Sequence, residues 1–177
     1  MKNFPLYEVR PIENLKDMLN SSVELFGNKP AFLVKRHGSQ NYEPVLFKEF
    51  YNDVYAFGTA LMNLGLKGKK IALIGENRYE WAVSYLAVIN GTGVIVPLDK
   101  ELPENEIESL LKRSMASAII FSGSKAQNIE NITKKADFIE YYINMDADED
   151  SNNVLSFSKL LKTGAKLMKQ GDRSYVD

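Results

Sequence analysis

Apolar residues in the first third of the chain recur at three- and four-residue steps, a spacing typical of amphipathic helices. One such segment covers residues 12–26, and a longer one covers residues 47–64. Between them, two short apolar runs at residues 31–35 and 42–46 flank a His37-Gly38-Ser39 turn. This pattern predicts a helix, a β-hairpin with His37 at its turn, and then a second helix.

From residue 70 onward, short apolar runs alternate with helical segments. The run at 70–74 is nearly continuous in apolar residues, as in a parallel strand that is covered on both faces. We therefore expect an α/β fold, with an open, mostly parallel sheet and helices on both faces, preceded by the N-terminal helix and hairpin. The predicted strands are residues 70–74, 94–97, 117–121 and 139–144, and the predicted helices are residues 79–90, 103–114 and 124–135.

The last part of the chain changes in composition. Residues 146–153 are acidic and polar, which favours a solvated loop, and residues 155–169 predict a basic helix. Together with the earlier segments, this divides one domain of 177 residues into three regions. They are a helix and hairpin at 1–46, a parallel α/β core at 47–145, and an acidic loop with a terminal helix at 146–177.

Two glycines of the helix at 47–64 carry local predictions. Gly65 is placed to be its left-handed C-cap, with Leu66 as the apolar contact beyond it. Gly58 lies in the helix interior, where glycine costs about 1 kcal/mol relative to alanine. A glycine at that position indicates close packing against another element, which the sequence leaves unidentified.

Composition narrows the possible functions. The 22 basic and 23 acidic residues nearly balance, so there is no electrostatic reason to expect a nucleic acid partner. The absence of cysteine excludes disulfides, thiolate nucleophiles and Cys-ligated metals, and His37 is the single histidine. Because residues 1–10 lack the apolar core of a signal peptide and no run reaches transmembrane length, we expect a cytoplasmic protein.

The segment that follows the strand at 70–74 is the first candidate for ligand binding. It opens a helix at the strand's carboxyl end, where open parallel sheets bind ligands, and this makes Asn77, Tyr79 and Trp81 candidate substrate-binding residues. A structural interpretation competes with this one. Asn77 and Glu80 are spaced to cap the helix, as are Ser124 and Gln127 at a later helix, and a single tryptophan is commonly a buried anchor.

Three other segments resemble known ligand-binding or phosphoacceptor motifs but lack residues that those motifs require. Residues 91–93 lack the third glycine of a dinucleotide fingerprint and end a helix, and residues 65–70 lack the first glycine and the Ser or Thr of a P-loop. Asp99 follows a strand, as the phosphoacceptor of a receiver domain does, but Glu76 alone is a poor substitute for the acidic pair that holds Mg²⁺ there. The residues themselves therefore indicate a parallel α/β domain without a catalytic or metal-binding constellation of its own.

The middle of the chain, roughly residues 28–122, resembles the opening of the adenylate-forming superfamily, which includes the AMP-forming acyl-CoA synthetases. Within it, the strings NRYEW and GTGVIVPLDKELP are most similar to bacterial long-chain fatty-acid–CoA ligases. The family's Gly-Asp is replaced by Gly68-Lys69, and its threonine N-cap is absent at Leu46. The positions that match the family pattern are Leu61, Gly65, 68–72, Asn77, Glu80, 93–98, Pro103, Glu106, Leu111, Ser114 and Ala116.

This resemblance implies part of a ligase that converts a fatty acid, ATP and CoA to acyl-CoA, AMP and pyrophosphate through acyl-AMP, with Mg²⁺. The family's Ser/Thr/Gly-rich nucleotide loop does not occur in the chain, so no catalytic residue and no bound cofactor are expected here, and the isolated chain is expected to be inactive. An apolar face left by missing partners favours a homodimer. The alternatives are a stand-alone α/β interaction module and a receiver-like signalling module.

Overall fold

The computed structural model describes residues 10–35, 40–151 and 153–176. Helix α1 covers Leu15–Phe26 and begins at Asn14, whose side chain accepts the Asp17 N–H at 2.8 Å. This cap places the start of α1 three residues after the predicted residue 12. Strands β1 (Pro30–Val34) and β2 (Glu43–Leu46) pair antiparallel, so the predicted hairpin is confirmed, while its turn with His37 lies outside the described residues.

Helix α2 covers Phe47–Asn63 and follows β2 without a connecting loop. Leu46, in the N-cap position, has no side-chain acceptor, but Glu49 accepts the Leu46 N–H at 2.7 Å and so satisfies one free donor. At the other end, Gly65 has a φ of 77°, and the Leu66 N–H donates to the Leu61 carbonyl at 3.2 Å. The predicted left-handed glycine cap is therefore confirmed.

A five-stranded parallel sheet forms the centre of the fold. Its spatial order is β4-β3-β5-β6-β7, with every neighbouring pair parallel. The four predicted strands are confirmed, with small shifts at their ends. The sheet strands are β3 (Lys70–Ile74), β4 (Val94–Leu98), β5 (Ala118–Phe121), β6 (Tyr141–Asn144) and β7 (Val154–Ser156).

Helices cover both faces of the sheet, as the α/β pattern predicts. Successive residues of β3 alternate between the two sides, with Ile71 and Leu73 in one apolar core and Ala72 and Ile74 in the other. The remaining helices are α3 (Tyr79–Ala87), α4 (Glu104–Ser114), α5 (Ala126–Thr133) and α6 (Phe157–Lys169). The first core also contains α2, α3 and α6, and the second contains α4 and α5.

Strand β7 was not predicted from the sequence. It is three residues long and follows the acidic stretch, so the sequence contains no extended apolar run that would predict a strand there. Its last residue, Ser156, is also the N-cap of α6 and accepts the Lys159 N–H at 3.3 Å. The division of the chain into regions 1–46, 47–145 and 146–177 stays a prediction.

The bounds of α3 and α5 also differ from the prediction. The helix predicted at 79–90 ends at Ala87 and continues as a single π-helical turn, Val88–Thr92. The capping box predicted for Ser124 and Gln127 is wrong, because a short 3₁₀ turn, Gly123–Lys125, precedes α5. The Ser124 hydroxyl is instead engaged with Glu76 across the sheet.

Candidate functional site

The strongest candidate site lies at the carboxyl ends of β3, β5 and β6. The chain leaves β3 toward β4 on one side of the sheet and later continues from β5 to the other side, so the strand order reverses there. Open α/β sheets bind ligands at such switch points. We call the polar side chains at this edge the switch-point cluster, which consists of Glu76, Arg78, Glu80, Ser122, Ser124 and Asp146.

Two serines after β5 hold the carboxylate of Glu76, which follows β3. The Ser124 hydroxyl donates to Glu76 Oε1 at 2.6 Å, and the Ser122 and Ser124 hydroxyls lie 2.9 Å apart. The hydrogen bonds from Ser124 and Ser122 favour the charged form and lower the pKa of Glu76 to about 2. Glu76 is therefore ionised throughout the neutral range.

Arg78 joins the start of α3 to the end of β6. Its Nε lies 2.6 Å from Glu80 Oε2, and its Nη1 lies 2.5 Å from Asp146 Oδ1. The second oxygen of Asp146 accepts the Gly123 N–H at 2.6 Å. Burial acts to lower the pKa of Arg78, but the hydrogen bonds to both carboxylates outweigh it and raise that pKa above its ordinary value.

The side chains of the switch-point cluster therefore hydrogen-bond to one another and to the Gly123 backbone. The acidic groups of Glu76 and Asp146 accept from Ser124 and from Arg78, and these contacts connect β3, β5 and β6. The predicted acidic loop begins at Asp146, which is exposed and whose carboxylate also bridges Arg78 and the Gly123 backbone. This arrangement therefore links the carboxyl ends of the three strands through hydrogen bonds and ion pairs.

Asn77 is exposed and its side chain makes no hydrogen bond with another described residue. The predicted capping box of Asn77 and Glu80 is wrong. Arg78, not Asn77, occupies the N-cap position of α3, and the Glu80 carboxylate binds the Arg78 guanidinium. Asn77 therefore remains accessible at the switch point, next to the cluster.

Tyr79 and Trp81 lie in different surroundings. The Tyr79 hydroxyl donates to Asp53 Oδ2 of α2 at 2.7 Å, and its ring lies edge-on to Phe32 of β1 at 5.3 Å between centroids. Burial is the main cause that raises the pKa of both Tyr79 and Asp53. Trp81 is half-buried and stacks on Tyr85 at 5.2 Å with 14° between the ring planes. The structure thus does not gather the three candidate residues around one point.

Four residues of the cluster were not predicted as site residues from the sequence, namely Arg78, Ser122, Ser124 and Asp146. Each follows the carboxyl end of a strand, so its position was detectable as a strand-end polar residue. The pairing depends on strand order, which the sequence does not reveal.

The receiver-like interpretation gains no support from the structure. Asp99 lies on an exposed loop after the edge strand β4 and accepts the Glu101 N–H at 2.9 Å. Within residues 10–35, 40–151 and 153–176, no three His, Cys, Asp or Glu side chains are grouped to hold a metal ion. Across the same described ranges, every helix is too short or too polar to cross a membrane.

Comparison with known proteins assigns the family. The profile of the AMP-binding enzyme family matches residues 19–172, nearly the whole described domain. The chain belongs to the AMP-binding enzyme family. It is 30% identical over 129 residues to fatty acyl-CoA synthetase A of Dictyostelium discoideum, covering 72% of this chain and 18% of that protein. It is 27% identical over 132 residues to a long-chain-fatty-acid–CoA ligase of Escherichia coli, covering 72% of this chain and 22% of the ligase.

Solved structures of family members share this fold. The anthranilate–CoA ligase AuaEII, in complex with anthranoyl-AMP, superposes with a TM-score of 0.73 at 22% identity, over 90% of this chain and 28% of that one. The adenylation domain of a carboxylate reductase from Mycobacterium chelonae gives a TM-score of 0.75 at 14% identity, over 89% and 30%. The chain therefore has the fold of part of an AMP-forming acid-activating enzyme, and it spans about a fifth of the length of the curated relatives.

Proposed function

We propose that this chain is the N-terminal scaffold of a long-chain fatty-acid–CoA ligase. The observation that carries the proposal is the family match over residues 19–172, on a parallel sheet of the same fold. Two relatives named as a fatty acyl-CoA synthetase and as a long-chain ligase support the acyl substrate class. The switch-point cluster fits a scaffold role, because its polar groups bind one another and hold three strand ends together.

The reaction proposed for the whole protein activates a fatty carboxylate with ATP and then transfers the acyl group to the thiol of CoA. A carboxylate is a poor electrophile, whereas its mixed anhydride with AMP has a good leaving group. Cationic groups and Mg²⁺ stabilise the phosphate charge in such a step. The described residues offer no grouped acidic ligands for Mg²⁺, so we assign no step of the chemistry to them.

The isolated chain of 177 residues is proposed to be inactive. Adenylation is measured by ATP–pyrophosphate exchange with palmitate, using the folded chain, a heat-denatured sample and a family ligase as positive control. We expect exchange equal to the denatured sample. Palmitate-dependent exchange above that level, proportional to the concentration of the chain, would show that the chain carries its own catalytic groups.

Acyl chain-length preference is tested in a ligase that contains this chain. The chain replaces the matching segment of the Escherichia coli relative, and exchange is compared between palmitate and octanoate. The proposal expects higher kcat/KM for palmitate, as for the unmodified relative. A folded chimera that prefers octanoate would contradict the long-chain assignment and leave the ligase family in place.

The proposal also includes a cytoplasmic location and a homodimer. Val94, an apolar residue that is exposed on the edge strand β4, supports self-association, because exposed apolar surfaces commonly mark interfaces.

A further inference from the structure

Asn90 is the single asparagine of the chain that is followed by glycine. It lies in the π-helical turn Val88–Thr92 and is 8% exposed. Neither its Nδ2 nor its Oδ1 forms a hydrogen bond with any residue that the structure describes. Buried carboxamides are normally held by hydrogen bonds to protein groups. No neighbouring side chain or backbone group in the described ranges therefore fixes the orientation of this carboxamide.

A groove of about 550 Å³ lies beside the π-helical turn. Asn90 is one of its lining residues, and Asn14 and Leu15, which also line it, are exposed. The groove therefore opens to solvent and brings water to the carboxamide of Asn90. It also provides space in which this side chain changes its rotamer without displacing the packed core.

Gly91, the next residue, lies at an irregular point of the backbone. Its φ of 174° and ψ of −22° are not helical, and it is exposed. Beyond it, the Gly93 N–H donates to the Val88 carbonyl at 2.9 Å, a bond that spans one residue more than in an α-helix. Because glycine has no side chain, nothing on Gly91 itself hinders a close approach to its backbone nitrogen.

We propose that Asn90 is a site of spontaneous deamidation, which converts it to aspartate and isoaspartate through a cyclic imide with Gly91. The Gly91 nitrogen bonds to Asn90 Cγ and loses its proton, while the bond from Cγ to Nδ2 breaks and ammonia leaves with that proton. Water then opens the imide. Cleavage between the nitrogen and Cγ gives aspartate, and cleavage between the nitrogen and the main-chain carbonyl carbon gives isoaspartate.

Either product alters the contacts that hold the end of the described chain. The new carboxylate borders the groove that Lys16 also lines, and Lys16 Nζ donates to the Val176 carbonyl at 2.8 Å. The carboxylate competes with that carbonyl, because charge-assisted hydrogen bonds are stronger. Isoaspartate also adds one backbone carbon before Gly91, where a β-carbon would already come within 3.0 Å of the Tyr175 ring. We therefore expect deamidation to loosen Tyr175 and Val176, whether or not the ligase assignment holds.

The site is tested by following deamidation in the folded chain of 177 residues. The chain is kept in mildly alkaline buffer at physiological temperature, digested with trypsin at intervals and analysed by mass spectrometry, and isoaspartate is quantified by enzymatic methylation. The tryptic peptide of residues 79–100 contains Asn90 as its single asparagine and has no glutamine, so a deamidation mass gain there identifies the site. Asn90→Gln is expected to abolish this gain, because glutamine forms the corresponding six-membered imide far more slowly.

Asn20 is the internal control. It lies in α1, it is followed by serine, and its Oδ1 accepts the Tyr55 hydroxyl at 2.9 Å. Each rate is divided by the rate in guanidinium-unfolded chain, which removes the effect of the following residue. Folding is expected to slow Asn20 at least about tenfold more than Asn90, because Asn20 must first lose its hydrogen bond and a helical turn. An Asn90 that stays unmodified in the folded chain, or that is slowed as much as Asn20, would overturn the proposal.

The effect on the end of the chain is measured on the deamidated fraction, which is separated from unmodified chain by its extra negative charge. Amide hydrogen exchange at residues 173–176 is expected to be about tenfold faster in that fraction, with α4 unchanged as the control on the other face of the sheet. Equal exchange at residues 173–176 in the two fractions would overturn the link between Asn90 and the anchored segment.

Discussion

The ring of Tyr175 lies directly against Gly58 in the middle of α2. A β-carbon at Gly58 would come within 2.2 Å of that ring, and one at Gly91 of the π-helical turn within 3.0 Å. Tyr175 is 2% exposed, and its ring is edge-on to Tyr55 at 5.3 Å between centroids. The two glycines thus form a slot in which the last described segment of the chain is anchored.

The slot predicts a strong coupling between Gly58 and Tyr175. Gly58→Ala is expected to lower the free energy of unfolding by about 1–3 kcal/mol, because the added methyl overlaps the ring. In a Tyr175→Ala background, the same change should be neutral or stabilising by up to about 1 kcal/mol, since alanine is the better helix former. Urea unfolding of the four chains gives the cycle, and additive effects would refute the contact.

Any side chain at Gly164 of α6 is expected to clash with the backbone of α2, so a second side-chain substitution would not relieve the clash. A β-carbon there would overlap the Ala56 carbonyl oxygen of α2, so the two helices would have to separate. Gly164→Ala should lower the free energy of unfolding by about 2–4 kcal/mol. The exposed neighbour Thr163 is the matched control, and Thr163→Ala should change stability by less than about 0.5 kcal/mol. Equal effects at both positions would mean that α6 does not cross α2 at this glycine.

The hydrogen bonds to Glu76 predict a pH dependence. Its folded pKa of about 2 lies below the ordinary value of 4.5, so its stabilising contribution is complete above pH 4.5 and is lost as the pH falls toward 2. Ser124→Ala should destabilise by roughly 0.5–1 kcal/mol at pH 7. Chemical unfolding from pH 7 downward should show the two stability curves converging below pH 4.5. A difference in stability that does not change with pH would show that the Glu76 carboxylate is not its cause.

Arg78 predicts a larger effect than an ordinary surface ion pair. Arg78→Met keeps the aliphatic stem but removes the contacts with Glu80 and Asp146, and should cost about 1–2 kcal/mol. Lys134→Met is the control, because its pair with Glu130 is exposed and should contribute less than about 0.5 kcal/mol. The measurement is unfolding at low and at high salt, with the Arg78 loss shrinking less than that of a fully exposed pair. Similar losses of stability at both sites would mean that the contacts of Arg78 stabilise the strand ends no more than an exposed ion pair does.

Sequence pattern was sufficient for the elements whose signal is local. The continuous apolar run at 70–74 matches β3 residue for residue, and the glycine stop at Gly65 has the predicted backbone conformation. Strand β7 and the π-helical turn were missed, because three residues carry too little periodicity and a π turn differs from an α-helical turn by hydrogen bonds that span one residue more. The contact between Gly58 and Tyr175 could not be predicted from the sequence pattern, because the two residues are more than a hundred positions apart in the chain.

The position of the candidate segment after β3 follows from the sequence pattern, whereas the contacts of its side chains do not. Asn77, Tyr79 and Trp81 do follow β3 at the switch point, yet Tyr79 is directed at Asp53 and Trp81 at Tyr85. The residues that bind one another there come from three strand ends, and their meeting depends on the order of strands in the sheet. That order is set by tertiary packing, and the residue pattern of a single sequence does not reveal it.

The central claim is that this chain supplies the scaffold of an acyl-CoA ligase without its chemistry. The most direct test is palmitate-dependent ATP–pyrophosphate exchange, measured in parallel on the isolated chain and on the Escherichia coli ligase that carries this chain in place of its matching segment. The account predicts exchange in the folded chimera and none in the isolated chain. A folded chimera without exchange, or an isolated chain with it, would contradict the account.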